Sequence, residues 1–173
     1  MTMNNKLPNI CLVSTFGGGV GDTFLSGLVK ILCPLSDNLY TISPGTNQRD
    51  RDNIYFYVVK YKRGENIFTQ VLNQVSLQLR MAYWLARLAK KVNLWVFFGG
   101  EGLLLPMLTA KLFRGKVALA LAGYLEKEGE LRKNVLYKPF SFLKRINCRL
   151  SDRIVIYSPR LIKEWQLERH KDK

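Results

Sequence analysis

The residues best suited to chemistry are the glycines of Phe16-Gly17-Gly18-Gly19-Val20-Gly21-Asp22, which directly follow the apolar run Ile10-Cys11-Leu12-Val13-Ser14. Without a Cβ, glycine lets the backbone approach a ligand closely and lets a turn reach positive φ. A helical pattern follows at Asp22-Thr23, and a helix start offers free N–H groups and a partial positive charge to an anion such as phosphate. Gly17, Gly18, Gly19, Gly21 and Asp22 are therefore a candidate phosphate loop; a tight strand-to-helix turn is the plainer alternative. A dinucleotide site asks for G-x-G-x-x-G and a carboxylate at the end of the second strand. Here Asp22 stands where the third glycine belongs, and the second strand ends Ile42-Ser43-Pro44. The ATPase pattern G-x-x-x-x-G-K-[ST] is absent.

Three further strand ends carry small or polar residues. Gly99-Gly100-Glu101 precedes a helical pattern, and its carboxylate suits either a contact to a sugar hydroxyl or a first-turn charge that complements the helix dipole. Gly123-Tyr124 and Ser158-Pro159-Arg160 suit either turn chemistry or a shared ligand surface. His170, the single histidine, lies in the charged tail Glu168 to Lys173, away from these loops. No serine sits in a G-x-S-x-G elbow, and no His/Cys/Asp cluster has metal spacing. No catalytic residue, cofactor or metal is assigned. Cys11, Cys33 and Cys148 are widely spaced, two of them lie in expected core elements, and buried thiols of a reducing compartment are expected.

The elements that must position these loops alternate strand and helix. Strands are expected at 9–15, Leu39–Ser43, Ile54–Tyr61, Leu94–Phe98, Val117–Ala122 and Arg153–Tyr157. Helices are expected at 22–33, 65–91, from Glu101 to about Phe113, at 138–150, and from about Arg160 onward. Pro106 either bends the third helix or marks a late start. The helix over 65–91 shows Phe68, Val71, Leu72, Val75, Leu79 and Tyr83 at helical spacing. Continuously apolar strands suit a parallel sheet covered on both faces. The expected fold is α/β: one three-layer Rossmann-like domain over 1–173, a parallel sheet of about six strands in the order 3-2-1-4-5-6, with helices on both faces.

The chain has 173 residues and 47% hydrophobic content, which suits one folded domain. Its 27 Lys and Arg outnumber 13 Asp and Glu, a formal net charge of +14. Such an excess favours anionic partners. Arg80, Trp84, Arg87 and Lys91 share one face of the long helix and suit a membrane surface, or simply a solvated face. Lys144, Arg145 and Arg149 form a second basic patch. Nucleic acid is the weaker partner, because no aromatic strand platform accompanies the charge. Met1 to Pro8 lacks a signal-peptide core. Val92 to Ala110 is too interrupted, at Gly99-Gly100, Glu101 and Pro106, to span a bilayer.

Four segments carry a family resemblance: Ile10 to Asp22, Val96 to Glu101, Lys116 to Gly123, and Cys148-Arg149-Leu150-Ser151-Asp152-Arg153-Ile154-Val155-Ile156-Tyr157-Ser158. The last resembles the "helix, then aD-x-ii-x-x-S" segment of family-four, GT-B fold glycosyltransferases. Nearly the whole chain looks like their amino-terminal, acceptor-binding domain. The resemblance implies that Gly17 to Gly19 touch the donor phosphates across a cleft, and that Gly100, Glu101, Gly123 and Tyr124 line the acceptor side, with Ser158 nearby. It implies a nucleotide-sugar donor as substrate, a lipid-linked or glycan acceptor, and a place on the cytoplasmic face of a membrane. The histidine that many members carry after the fourth or fifth strand is replaced here by Gly99-Gly100-Glu101 and Gly123-Tyr124. By the same resemblance a donor-binding domain with an E-x7-E motif would begin near Lys173. Either an excised domain, inactive or weak alone, or one subunit of a split enzyme is expected, and a non-catalytic recruiting subunit is the alternative.

Overall fold

A computed structural model of the protein describes residues 7–15, 20–44, 53–62, 64–121, 137–156, 162, 167 and 172–173, with the side chains of 20–22 and 137–140 excepted. Strands β1 (Ile10–Ser14), β2 (Leu39–Ser43), β3 (Ile54–Val58), β4 (Leu94–Phe98), β5 (Lys116–Leu121) and β6 (Arg153–Ile156) form one sheet in the order β3-β2-β1-β4-β5-β6. Every pairing is parallel. The central strand β1 is wholly buried, which is why it reads as an unbroken apolar run.

Successive residues of β1 face opposite layers. Ile10 and Leu12 join Leu25 and Val29 of helix α1 (Val20–Leu32) on one face. Cys11 and Val13 join a larger core on the other. That second core takes Leu77, Met81, Leu85 and Leu88 from α2 (Ile67–Leu88), Met107 and Ala110 from α3 (Leu104–Leu112), and Cys148 from α4 (Tyr137–Leu150). The expected three layers are present.

Several boundaries move for local reasons. The strand expected over 54–61 stops at Val58. The Val59 N–H still reaches the Ser43 carbonyl, but the Lys60 carbonyl instead accepts from Arg80 on α2. The helix expected from Glu101 starts at Leu104, after a turn in which the Leu103 N–H bonds the Gly100 carbonyl. Pro106 is then the third helical residue, where a missing N–H costs nothing because that group has no intrahelical partner. The charged loop at 124–134 lies outside the described residues. So does most of the helix expected beyond Arg160.

The tight end of α3 is not made by Gly115 alone. Arg114 adopts the left-handed conformation, φ 58°. The Gly115 N–H bonds the Ala110 carbonyl and the Arg114 N–H bonds that of Lys111, which together make a Schellman cap. Gly115 serves close packing, since a Cβ there would run into the Trp95 indole.

Candidate functional site: the carboxyl end of the sheet

Strand β1 pairs with β2 on one side and β4 on the other. The chain direction of successive elements reverses about this strand, and in open α/β sheets a ligand crevice lies outside the carboxyl ends of the strands at such a switch point. The glycine-rich segment follows β1 directly in the sequence. Gly17, Gly18 and Gly19 lie outside the described residues. Gly21 and Asp22 fall in the first turn of α1, which begins at Val20 rather than Asp22. Next to the loop, Thr15 Oγ1 donates to the Gly99 carbonyl at 2.8 Å, tying the ends of β1 and β4 together.

The Gly99-Gly100 pair has a firm structural requirement. Gly99 has φ 62°, a conformation that suits glycine. A Cβ on Gly100 would stand 2.8 Å from Phe97 Cβ. Glu101 follows with only 6% of its surface exposed. Burial pushes its carboxyl up to about 7, despite opposing pulls from its own N–H and the Lys144 charge. Helix α4 closes over this turn. Asn147, fully buried, donates Nδ2 to the carbonyls of Gly100 at 3.2 Å and Glu101 at 2.8 Å. Cys148 is raised to about 11, first by burial, with Lys144 opposing and Glu101 adding. Gly100 and Glu101 thus form a packed floor at the carboxyl end of β4. Gly123, Tyr124 and Ser158 lie outside the described residues.

The basic face on α2 is only partly as expected. Arg80, Arg87 and Lys91 are exposed. Trp84 is half-buried and packs its ring on Tyr57, with centroids 4.6 Å apart, so it is not a free interfacial ring. The Arg87 guanidinium lies 5.5 Å from the Trp84 ring and 5.8 Å from that of Tyr83. Arg80 donates to the Lys60 carbonyl at 3.1 Å. A groove of about 470 Å³ opens here, lined by Val58, Val59, Lys60, Leu79, Arg80 and the two aromatics Tyr83 and Trp84.

One residue had no functional signal of its own in the sequence. Asn147 reads as an ordinary helical polar residue, and only the packing of α4 over the Gly100 turn shows its use. Asp152 belongs to the Ser151 to Ser158 segment, and the structure gives it a fastening role. Its carboxylate accepts from Lys111 Nζ at 2.8 and 3.0 Å and from the Val117 N–H at 2.7 Å. Burial pulls its carboxyl upward, but Lys111 and the Val117 N–H outweigh that and hold it below the ordinary aspartate value.

No protein-family model and no curated protein matches the sequence. Solved structures do match. MurG of Acinetobacter baumannii superposes with a TM-score of 0.55 at 14% identity, over 88% of this chain and 42% of that one. A UDP-GlcNAc 2-epimerase from Methanocaldococcus jannaschii gives 0.58 at 15% identity, over 94% and 43%. A UGT transferase from Siraitia grosvenorii, solved with UDP, gives 0.59 at 10% identity, over 94% and 48%. The fold is one Rossmann-like half of a GT-B structure. The GT-B half spans less than half the length of each of these chains. At such identities the likeness concerns fold, and the matches include a UDP-GlcNAc 2-epimerase as well as a UDP-glucosyltransferase. No helix among the described residues is long and apolar enough to cross a membrane.

Proposed function

We propose that this GT-B half is the acceptor-binding part of a glycosyltransferase, of hexosyltransferase type, that transfers sugar from a nucleotide-sugar to a membrane-associated acceptor. The observation that carries the reading is the place of β1 at the topological switch point of the sheet, with the glycine-rich segment directly after it in the sequence. In the transfer, an acceptor hydroxyl oxygen forms a bond to the anomeric carbon. The bond from that carbon to the diphosphate oxygen breaks, the nucleoside diphosphate leaves, and the hydroxyl proton passes to a base. Gly17, Gly18 and Gly19 bring backbone N–H groups against the donor phosphates, where α1 adds the positive end of its dipole. Gly100, Glu101, Gly123, Tyr124 and Ser158 belong to the acceptor side. The donor sugar nucleotide is held mainly by a second GT-B half, in the same polypeptide or in a partner subunit. The assembly sits peripherally on the cytoplasmic face of the membrane.

The test uses sugar transfer from radiolabelled nucleotide-sugars to membrane lipid extracts. The isolated chain is expected to transfer negligibly, and a complex captured with it from its native cells is expected to transfer well. Gly18→Val in that complex keeps the backbone N–H but bars its close approach to the phosphates, and is expected to lower transfer by about a hundredfold, the scale of losing one preorganised anion donor. Robust turnover by the isolated chain would sink the half-enzyme reading. Undiminished transfer in the Gly18→Val complex would instead favour a recruiting role without donor contact.

A further inference from the structure

We infer that the outward face of α2 is a docking seam for an acid-flanked amphipathic helix of a partner protein. The inference concerns the outer side of a helical layer, not the carboxyl ends of the strands, and does not depend on the sugar-transfer reading. A helix packed on a sheet ordinarily carries one apolar stripe, and α2 carries two. Leu77, Met81, Leu85 and Leu88 face the core. On the opposite side Phe68, Leu72, Val75, Leu79, Ala82 and Ala86 follow one another at steps of 4, 3, 4, 3 and 4 residues. Phe68 is 77% exposed, Leu72 57% and Leu79 58%.

The spacing makes the occupant a helix. Alternating steps of four and three are the a/d repeat by which two helices pack along their length, each side chain entering a hole between residues of the other. From Phe68 to Ala86 the seam is about 27 Å long at the helical rise. Its large side chains lie in the first half and its alanines in the second. Small residues at a contact shorten the distance between helix axes, so Ala82 and Ala86 let a partner helix come close. The same alanines would bring little apolar area to a bilayer. The seam is also firmly built. Asn66 caps the helix, accepting from the Thr69 N–H at 2.9 Å, while Thr69 Oγ1 accepts from the Asn66 N–H. A seam fixed before contact loses little freedom on docking.

Charge sets the sign of the partner's flanks. No Asp or Glu occurs between Glu65 and Glu101. Arg80 and Arg87 stand one heptad apart, each directly after a seam residue, and so share one flank of the seam. Both are exposed, and both are held. Arg80 donates to the Lys60 carbonyl at 3.1 Å, and Arg87 Nη1 donates to the Tyr83 hydroxyl at 3.3 Å. Lys60 and Lys90 add exposed cations to the same surface. Carboxylates on the flank of a partner helix complement this row, as flanking charges do when helices choose partners. A second copy would bring the same cations, in a chain of net charge +14, against each other.

Fluorescence anisotropy on the full chain tests the seam with two synthetic helical peptides. Each has three heptads with Leu at the a and d positions; one carries Glu on its flanks and the other Lys. The Glu peptide is expected to bind saturably, and the Lys peptide at least about tenfold more weakly. Leu72→Glu/Leu79→Glu is expected to weaken the Glu peptide by at least about tenfold. Phe24→Ser/Ile31→Ser, an exposed apolar pair on α1 in the opposite layer, is expected to leave it unchanged. Arg80→Glu/Arg87→Glu is expected to reverse the preference, and a gain of Lys-peptide binding cannot come from misfolding. No binding by the parent chain, equal binding of the two peptides, or undiminished binding by the Leu72/Leu79 variant would overturn the proposal. In native cells, a photo-crosslinking residue at position 79 is expected to capture a protein through an acid-flanked helical segment, mapped by mass spectrometry. Crosslinking there to lipid or to a second copy, or no crosslink at all, would equally overturn it.

Discussion

At the residue scale, burial beneath α4 raises the Glu101 carboxyl to about 7. An unfolded chain ionises this group near its ordinary value of 4.5, so between those two values the folded protein keeps a proton that the unfolded chain has lost. Below that window both states are protonated and the group contributes nothing. Across the window stability falls as pH rises, and above it the full cost of about 3 kcal/mol is present. Glu101→Gln is expected to be more stable than the parent at pH ~8 by up to that amount and nearly equal at pH ~4. Asn147 bonds only backbone carbonyls here, so the substitution leaves the clasp over the turn in place. Urea midpoints at the two pH values measure this; a variant that keeps the parent's pH slope would disprove the assignment.

At the element scale, α3 ends on a residue that suits the geometry badly. Arg114 holds φ 58°, which crowds a Cβ against its own backbone. Both Schellman hydrogen bonds are made, so the cap is correct and only the residue type is strained. Arg114→Gly is expected to stabilise the protein by about 0.5–1 kcal/mol, read as a rise in melting temperature of a few degrees. A fall would mean that the Arg114 side chain holds a contact worth more than the strain. The same element shows how tertiary contact completes a weak start: α3 has no cap of its own, and Gln78 of α2 accepts from the Leu105 N–H at 3.0 Å. Periodicity made α3 visible in the sequence. Its start depended on a glutamine 27 residues away, which no local pattern encodes.

At the scale of the whole molecule, Asp152 fastens three elements. It joins the end of α3 through Lys111, the start of β5 through the Val117 N–H, and the turn from α4 into β6. Its own N–H also bonds the Val117 carbonyl. The Lys111 pair is 31% and 45% exposed, so it adds little, and most of the effect comes from the carboxylate–amide bond. Asp152→Ala is expected to cost about 1–2 kcal/mol in chemical denaturation. The loss should appear first as faster amide exchange in β6, an edge strand of the sheet. Global unfolding with uniform exchange would remove the fastening role. This is a physical reason for an aspartate directly before the sixth strand, where the sequence offers only the spacing.

The order of elements and the apolar strands were legible from residue types alone, because strand burial on both faces leaves a local signature. The sheet order 3-2-1-4-5-6 also agrees with that reading. Long-range packing decided what local patterns leave open. Helix α2 shows two apolar stripes, and periodicity assigns neither to the core. The choice depends on where the sheet beneath it ends, and that is set by strand pairing between residues far apart in the chain. Glu101 likewise reads as a charged helix start, and only the closure of α4 over it removes the water that would keep it charged.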